Sequence, residues 1–410
     1  MNKIAMGDFY SPETMRDPFA FYSRLREQQE PLFHLDDVYG MGGAWVALRY
    51  DDVVEILKDP RFVKDMRKFL PSQDKQESSG DSTSKGSFLA WWMNMPNMLT
   101  VDPPDHTRLR RLASKAFTPR MIEELRPRIQ QITDELIDAV QGQGHMDLIA
   151  DFAYPLPIIV ISEMLGIPSA DRDQFRDWTE SLMKSVMDPQ RETSAIATLE
   201  AFVHYIKTLV AEKREHPGND LTSGLVQTYE EGDVLSENEL LSTIWLLITA
   251  GHETTVNLIG NGVLALLQHS DQLQLLQNDP SLLPSAIEEL LRYAGPVMVG
   301  NRFADEDISM NGKVIRKGEM VLFSLTAASI DPQQFSNPEV LDITREENQH
   351  LAFGKGIHYC MGAPLARMEG QIAIGTLLHR IPTLRLASNP DQLTWSYSKF
   401  RALASLSVTF

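Results

Sequence analysis

The stretch FGKGIHYCMGAPLAR, residues 353–367, decides how the rest of this sequence is interpreted. It contains Cys360, the one cysteine in 410 residues. A lone cysteine forms neither an intrachain disulfide nor a cysteine-rich zinc site, which leaves a buried spare thiol, a nucleophile or a thiolate ligand. The run from Met361 to Ile374 is rich in Ala, Leu, Met and Glu and predicts a helix. Cys360 then lies at a helix N-terminus, where the dipole and unpaired amide groups stabilise an anionic sulfur.

The local sequence favours a ligand over a nucleophile. Gly354 and Gly356 allow the backbone to turn tightly and to present amide groups to a sulfur atom. A nucleophilic thiol needs a neighbouring base, and His358 is the one nearby candidate. The sequence alone leaves open whether that imidazole reaches the sulfur.

A second informative stretch is AGHETT at residues 250–255, inside the longest predicted helix, residues 236–269. The middle of this helix is apolar nearly all round, which predicts that it is buried. A carboxylate and hydroxyls are costly there unless they have partners. Thr254 is spaced to bond back to the carbonyl of Ala250, which widens a helix. The pattern predicts a groove in which Glu253 and Thr254 relay protons, and a pair bonded to a neighbouring helix is the structural alternative.

Residues 353–367 resemble the haem-binding signature of cytochromes P450, Phe-Gly-x-Gly-x-His-x-Cys-x-Gly-x-x-Leu-Ala-Arg, at every fixed position. Residues 250–255 are similar to the oxygen-activation motif of that family, with Glu253 where Asp is also common. The resemblance implies a mainly α fold with small β-sheets (α+β), a triangular helical prism with a long central helix over the haem. It implies one domain over residues 1–410, whose β-rich part lies roughly at 30–70, 300–330 and 384–410.

The resemblance also implies a cofactor, haem b (iron protoporphyrin IX), with the Cys360 thiolate as its axial metal ligand. Glu253 and Thr254 are the implied catalytic residues. Further residues implied to contact the cofactor are His106, Arg110, Ala250, Gly251, Thr254, Arg302, Phe353, Gly354, His358 and Gly362. Arg110 and Arg302, with His106 and His358, supply positive donors for the two propionates. An exposed residue near the start of a helix is the alternative for His106.

The segment Glu289-Leu290-Leu291-Arg292 places a carboxylate and a guanidinium on one face of a predicted helix. Such spacing usually gives a surface ion pair that contributes little to stability. The family resemblance implies instead a buried structural pair that braces the loop carrying Cys360, with Arg345 as a candidate third member.

An apolar substrate pocket is a further implication of the resemblance. Its candidate residues are all apolar, and each is equally suited to the core. Methionines among them give adaptable walls. The candidates are Met98, Leu99, Met183, Val186, Met187, Leu246, Leu247, Ala250, Val297, Met298, Val299 and Phe400.

The charge balance excludes several classes of partner. The chain has 38 Lys and Arg against 56 Asp and Glu, a net charge of −18, which argues against binding nucleic acid or anionic membranes. No apolar run reaches the ~18 residues of a membrane span. Residues 1–13 lack a hydrophobic signal core, and we expect a cytoplasmic monomer. A local basic cluster predicts a docking surface for an acidic redox partner, with a solvated helix face as the alternative. The cluster consists of Arg108, Arg111, Lys115, Arg120 and Lys355.

Together these motifs predict a monooxygenase that hydroxylates an apolar small molecule with O2 and electrons from a separate ferredoxin or flavodoxin and its reductase. Residues 102–112 and 363–367 resemble the soluble bacterial members that oxidise macrolides and other polyketides, and statin-like lactones are included in this expectation. The alternatives are fatty-acid or terpenoid hydroxylation, a haem-thiolate enzyme that does not use O2, and a haem sensor. Two departures from the family pattern are residues 328–332, which lack a frequent Arg, and Met361, where Leu is usual.

Periodicity and turn residues predict the remaining elements. Helices are expected over residues 18–29, 51–58 (capped by Asp51 or Asp52), 104–117, 122–141, 158–165, 170–187, 193–214 and 284–293. Strands are expected at residues 44–48, within 303–325 with a turn at Asn311-Gly312, and within 384–410. Residues 71–87 are polar and predict a solvated loop or a substrate-access lid.

Overall fold

The computed structural model describes residues 4–69, 95–187, 192–230, 235–396 and 400–410, without the side chains of residues 180, 183–187, 192–194 and 229–230. The chain divides into two compact units. The first comprises Met1–Val63, Arg126–Leu156 and Thr254–Phe410, and the second comprises Lys64–Leu125 and Pro157–Glu253. The expectation of one domain stays a prediction, and the predicted loop at 71–87 lies outside the described residues.

The described chain is mainly helical, as the sequence predicted. Its α-helices are α1 Pro12–Arg16, α2 Pro18–Gln28, α3 Tyr50–Lys58, α4 Asp105–Ala116, α5 Pro119–Glu124, α6 Arg126–Gln141, α7 Pro155–Met164, α8 Arg172–Met187, α9 Glu192–Glu215, α10 Leu221–Glu230, α11 Glu237–Gln268, α12 Ser270–Asn278, α13 Leu283–Ala294, α14 Leu325–Ser329 and α15 Ala363–Arg380. A π-helical turn covers Leu148–Ala153, and a 3-10 turn covers Gly356–His358.

Several helix predictions differ from the structure in their ends, among them those for α3, α6 and α15. Neither Asp51 nor Asp52 caps α3: both lie in its first turn, where a negative charge favours the helix dipole, and Arg49 is the N-cap. The helix expected over 122–141 is divided at Leu125, because a separate helix begins at Pro119 with the Thr118 hydroxyl accepting from the amide of Met121. Helix α15 continues to Arg380, beyond its predicted end.

All ten named strands belong to the first unit. They are β1 Leu32–Leu35, β2 Ala44–Ala47, β3 Phe62–Val63, β4 His145–Asp147, β5 Val299–Ala304, β6 Ile308–Met310, β7 Lys313–Ile315, β8 Met320–Ser324, β9 Arg385–Leu386 and β10 Ser407–Thr409. The main sheet has the order β1-β2-β8-β5-β3, and a second sheet has the order β4-β10-β9. Strands β2 and β8 are parallel, and the other neighbours of both sheets are antiparallel.

The predicted turn at Asn311-Gly312 joins β6 to β7. Both residues have positive φ, 48° and 72°, the combination that a two-residue turn between right-twisted strands requires. The Asn311 amide also donates to the buried Asp52 carboxylate at 2.9 Å. The hairpin is therefore tied to α3 within the first unit.

The core of the first unit is built on one face of the main sheet. Apolar side chains from β2, β5 and β8 pack with one face of α3, represented by Val53 and Ile56. The alternation of β-strand side chains and the helical spacing of α3 bring these faces together. This packing places the end of α3 beside the loop that carries Cys360.

The second unit has an aromatic core between its helices. Phe175 and Trp178 of α8 pack against Phe202 and Tyr205 of α9, with ring centroids 5.9 Å apart for Phe175–Phe202 and 5.5 Å apart for Trp178–Tyr205. The Trp245 ring of α11 meets Phe202 edge to face at 4.9 Å. These contacts join α8 to α9, and α9 to the first half of α11.

Among the described residues, no helix combines the length and the apolar character that crossing a bilayer requires.

Candidate functional site

The loop before α15 is closed by hydrogen bonds across its base. The Cys360 amide donates to the carbonyl of Phe353 at 3.0 Å, and the Gly354 amide donates to the carbonyl of Leu351 at 2.8 Å. The Cys360 carbonyl accepts from the amide of Ala363, the first residue of α15, at 3.4 Å. Cys360 therefore lies three residues before the first residue of this helix, which begins two residues later than the predicted Met361. We call residues 353–362 the Cys loop.

Glycine is required in the Cys loop for two separate reasons. Gly354 and Gly356 have φ of 68° and 73°, values that other residues rarely adopt. A Cβ on Gly356 would lie 2.3 Å from the carbonyl oxygen of Leu57 in α3. The loop thus crosses the end of α3 at backbone contact distance.

Cys360 is accessible to a bound group at the start of α15. The residue is exposed, and a Cβ added to Gly362 would lie 3.9 Å from Sγ, at ordinary contact distance. Within the described parts of the chain, no three His, Cys, Asp or Glu side chains cluster as a metal site of their own. A haem group would need one cysteine thiolate from the protein, and Cys360 would supply it.

Glu289 and Arg292 form a fully buried ion pair on α13. The guanidinium donates to both carboxylate oxygens at 2.7 and 2.8 Å, and both side chains have no exposed area. Arg345 donates to the same carboxylate at 3.1 Å, and Asn348 donates to it at 3.1 Å. The amide of Asp342 completes the set at 3.0 Å. Arg345 was predicted as a third member, whereas sequence reasoning missed Asn348 and Asp342.

The other donors of Arg292 hold the chain that leads to the Cys loop. They bond the carbonyls of Ser329 and Pro338 at 3.1 and 2.7 Å, and that of Val340 at 3.1 Å. The Arg345 guanidinium donates to the carbonyls of Ser336 and Val340 in the same segment. These two arginines therefore fix residues 329–345 by their backbone.

Helix α11 has an accessible stripe in the middle of an otherwise buried surface. Leu247, Ala250, Gly251 and Thr254 are exposed or half-buried, and they follow the i, i+3, i+4, i+7 spacing of one helix face. The flanking residues from Ile244 to Leu246 and from Thr255 to Leu266 are buried. Such partial exposure on one face of an otherwise buried helix suits a surface that contacts a ligand. The helix itself runs without a break through residues 250–255.

Glu253 and Thr254 are neighbours on α11 and both are half-buried. Their partial exposure gives the access to solvent that a group exchanging protons requires. The back-bond expected from Thr254 to Ala250 stays a prediction.

The residues predicted to bind propionates lie on different elements. His106 and Arg110 are on α4, one turn apart, with His106 buried and Arg110 half-buried. In the first unit, Arg302 of β5 is buried, and its guanidinium lies 5.5 Å from the centre of the Phe323 ring of β8. His358 is half-buried in the 3-10 turn of the Cys loop.

The predicted basic cluster is partly neutralised by carboxylates. Arg108 forms an ion pair with Glu239 of α11, and Arg120 pairs with Glu124 at 2.8 Å. Arg111 and Lys115 lie on the exposed face of α4.

The substrate-pocket candidates have mixed exposure. Met98, Leu246 and Met298 are buried, Leu247, Val297, Val299 and Phe400 are half-buried, and Leu99 is 42% exposed. In the first unit, Val297 and Phe400 pair through a β-bridge. The side chains of Met183, Val186 and Met187 lie outside the described part of the chain.

Arg401 is a residue beside Phe400 that sequence reasoning missed. Its side chain is buried, and burial lowers its pKa to about 10. The Arg401 Nε donates to the carbonyl of Met15 at 2.8 Å. The backbone amide of Arg401 donates to the carbonyl of Pro296 at 2.8 Å, and its carbonyl accepts from the side-chain amide of Asn261 at 2.8 Å. Arg401 thus anchors the β-bridge between Val297 and Phe400.

Comparisons with known proteins agree with this geometry. The family model of cytochrome P450 matches residues 161–392. The chain is 67% identical over its whole length to cytochrome P450 CYP107DY1 of Priestia megaterium, with complete coverage of both chains. It is 43% identical to the polyketide biosynthesis cytochrome P450 PksS of Bacillus subtilis, covering 98% of this chain and 97% of that protein.

Two solved structures show the same fold. The structure of PksS superposes with a TM-score of 0.88 at 42% identity, covering 98% of each chain. The myxobacterial cytochrome P450 CYP267B1 in complex with myristic acid superposes with a TM-score of 0.88 at 44% identity, covering 99% of each chain. A mainly α architecture with small sheets is thus common to all of them.

Proposed function

The chain belongs to the cytochrome P450 family, and from this membership we propose that it hydroxylates a polyketide-type lactone. The general activity of the family is monooxygenation of a small molecule, with O2 and with electrons from a separate redox partner. The family cofactor is haem with a cysteine thiolate, and Cys360 is the one cysteine of this chain. When bound, the thiolate-ligated haem supplies the activation of O2 and the oxidation of an unactivated C–H bond.

In this proposal, Glu253 and Thr254 handle protons. The Thr254 hydroxyl both donates and accepts a hydrogen bond, so it holds a proton on the accessible stripe of α11. The Glu253 carboxylate, one residue earlier and half-buried, exchanges that proton with solvent. Thr254 thus donates the proton, and Glu253 supplies it again from solvent.

The same proposal assigns the propionates of haem to Arg110 and Arg302, with His106 and His358 as further donors. A guanidinium suits a carboxylate because its planar fork makes two parallel hydrogen bonds. Phe353, Gly354, Gly362, Ala250 and Gly251 are proposed as the remaining cofactor contacts.

The chemistry of the candidate pocket supports a neutral lactone over a free acid. Every candidate pocket residue is apolar, and a carboxylate buried among such residues without a cation is strongly disfavoured. A lactone carries no charge, and one or two polar groups suffice to orient it. The likeness to PksS, which is named for polyketide biosynthesis, supports the same class.

Fatty-acid hydroxylation is a second candidate, and a specific observation favours it. CYP267B1, 44% identical to this chain, was solved in complex with myristic acid. A long alkyl chain would suit the apolar candidates equally well. Its carboxylate would have to lie outside that group, towards a cation or solvent.

A ferric Soret titration tests the proposal. The purified haem protein is titrated with a macrolide aglycone, with myristic acid and with its methyl ester, which removes the charge and keeps the chain. We expect a saturable shift towards high spin with the aglycone at lower concentration than with myristic acid. Tighter saturation by myristic acid than by its ester would overturn the lactone assignment in favour of a carboxylate-binding pocket.

The electron donor is proposed to be an acidic ferredoxin or flavodoxin with its reductase. The exposed face of α4, with Arg111 and Lys115, supports this proposal because a local positive surface on an acidic chain steers an acidic partner. The net charge of −18 supports the companion proposal that the protein binds no nucleic acid. The monomeric state stays a prediction.

A further inference from the structure

A second polar cluster lies beside the buried Glu289 pair and contacts the Cys loop. Arg367 of α15 forms a bidentate pair with Glu288 of α13, at 2.6 Å from Nε and 2.8 Å from Nη2. His350 lies against the same carboxylate, with Nε2 3.1 Å from Oε2. We call Glu288, His350, Phe353, Tyr359 and Arg367 the Arg367 cluster, and all five belong to the first unit.

Arg367 touches both arms of the Cys loop. Its guanidinium carbon lies 4.6 Å from the centre of the Phe353 ring, within the range of a cation–π contact. Its Nη1 donates to the Tyr359 hydroxyl at 3.2 Å. Phe353 begins the loop, and its carbonyl accepts a hydrogen bond from the Cys360 amide at 3.0 Å. Tyr359 immediately precedes Cys360. One guanidinium therefore contacts the residues on either side of the turn that presents the sulfur.

The anchor of this guanidinium is itself held in place. The Nδ1 atom of His350 accepts from the Ala352 amide at 3.2 Å, so Nε2 carries the hydrogen and donates it to Glu288. Burial alone raises the pKa of Glu288, but the hydrogen bonds from Arg367 and His350 lower it to about 2. The carboxylate is thus ionised at neutral pH and receives donors from both sides.

We propose that Arg367 is a positioning residue that holds the Cys loop in the conformation in which Cys360 stays a thiolate ligand, with Glu288 and His350 as its anchor. The inference rests on Cys360 as the haem ligand and is independent of the substrate class. A competing role for Arg367 is that of a surface cation for the redox partner. The geometry favours positioning, because Nε and Nη2 are bonded to Glu288 and the side chain is 30% exposed.

Replacing Arg367 by lysine or by methionine separates the effect of its charge from that of its hydrogen bonds. Lysine keeps a positive charge but cannot make two parallel bonds to Glu288 while it covers the Phe353 ring. Methionine keeps the length and removes the charge and all donors. Glu288→Gln keeps Arg367 in the chain and removes the charge that anchors it. Arg316→Met is the matched control, since Arg316 pairs with Asp307 at 2.6 Å in an exposed ion pair of the same unit.

The experiment measures the thiolate itself, with no substrate or redox partner. Each haem-loaded variant is reduced with dithionite under carbon monoxide, and conversion from the thiolate-ligated spectrum to the inactive spectrum is followed during mild warming. We expect the half-life of the thiolate form to fall roughly tenfold in Arg367→Met and in Glu288→Gln, an effect between those of exposed and buried ion pairs. Arg367→Lys should fall between Arg367→Met and the wild type, and Arg316→Met should equal the wild type.

The double variant Glu288→Gln/Arg367→Met decides whether the two residues act as one unit. If Glu288 acts through Arg367, the double variant loses no more than Arg367→Met alone. If the fold-losses of half-life in the two single variants multiply in the double variant, the coupling is overturned. If both single variants keep the wild-type half-life, the positioning role is overturned. A surface-cation role would instead slow reduction by a ferredoxin and leave the half-life unchanged. A wild-type protein with no thiolate spectrum would overturn the Cys360 assignment and this inference with it, whereas the lactone proposal is tested only by the Soret titration.

Discussion

Replacement of Arg292 by methionine removes the centre of the buried ion cluster on α13. Arg292 is 1% exposed and forms two hydrogen bonds with Glu289, at 2.7 and 2.8 Å. It also donates to the carbonyls of Ser329, Pro338 and Val340 at 3.1, 2.7 and 3.1 Å. Methionine fills much of the same space and supplies none of these donors.

The remaining partners set the magnitude of the loss. Glu289 keeps Arg345 and Asn348, and the Val340 carbonyl keeps Arg345, but the Ser329 carbonyl loses this donor inside the core. Removing one partner of a buried charge pair destabilises by about 3–5 kcal/mol. Arg345→Met should destabilise by about 1–2 kcal/mol, because its donors to the main chain lie towards solvent and water can replace them.

The assay is urea unfolding of the haem-loaded variants, followed by far-UV circular dichroism. A chain with two compact units and a cofactor need not unfold in one step, so the variants are compared by their transition midpoints. We expect the midpoint to fall most in Arg292→Met and less in Arg345→Met. It should hardly fall in the control Arg316→Met, because an exposed ion pair contributes about 0–1 kcal/mol to the free energy of unfolding. An Arg345→Met variant as unstable as Arg292→Met would refute the ranking, and so would an Arg292→Met variant that matches the control.

Three further predictions concern single sites. Thr254→Ala should keep NADPH consumption while product falls and hydrogen peroxide rises, and tight coupling of consumption to product in this variant would contradict the proton role. Gly356→Ala should lower haem incorporation, read from the ratio of Soret to protein absorbance, because its Cβ would lie 2.3 Å from the Leu57 carbonyl at a φ of 73°; normal incorporation would mean that the loop can move away from α3. The folded-state pKa of Glu288 is about 2, below the ordinary ~4.3, so its stabilising contribution is present above pH ~4.3 and is lost as pH falls towards 2. The difference in urea midpoint between wild type and Glu288→Gln should therefore shrink between about pH 5 and 2, and a constant difference would show that Arg367 does not sense this charge.

Local sequence predicted the parts of the site whose partners are near in the chain. The Cys loop and the α15 start follow from glycines and helix formers within a few residues of Cys360. The Glu289–Arg292 pair follows from helical spacing. The order of the motifs along the chain added Arg345 as a candidate.

The rest depends on contacts between distant segments. Arg367 meets Glu288 from 79 positions away, and nothing local distinguishes Glu288 from its neighbour Glu289. The two carboxylates differ because adjacent residues point to different sides of a helix: Glu289 enters the core with Arg292, and Glu288 faces the Cys loop. Asn348 and Arg401 were missed for the same reason, since a polar residue in a loop gives no sign of the chain that will cover it.

The pairing of β2 with β8 has a consequence for biosynthesis. Trp45 lies beside Val321 in this parallel ladder, so the hairpin of β1 and β2 leaves the ribosome long before its neighbour exists. Until residue 320 has been synthesised, β2 exposes one row of unpaired backbone groups, a template for the strands of other nascent chains. Expression yield should consequently depend on how quickly translation reaches β8. Slowing the ribosome by synonymous codons between β2 and β8 should move protein into inclusion bodies, and the same slowing within α15, after β8, should not.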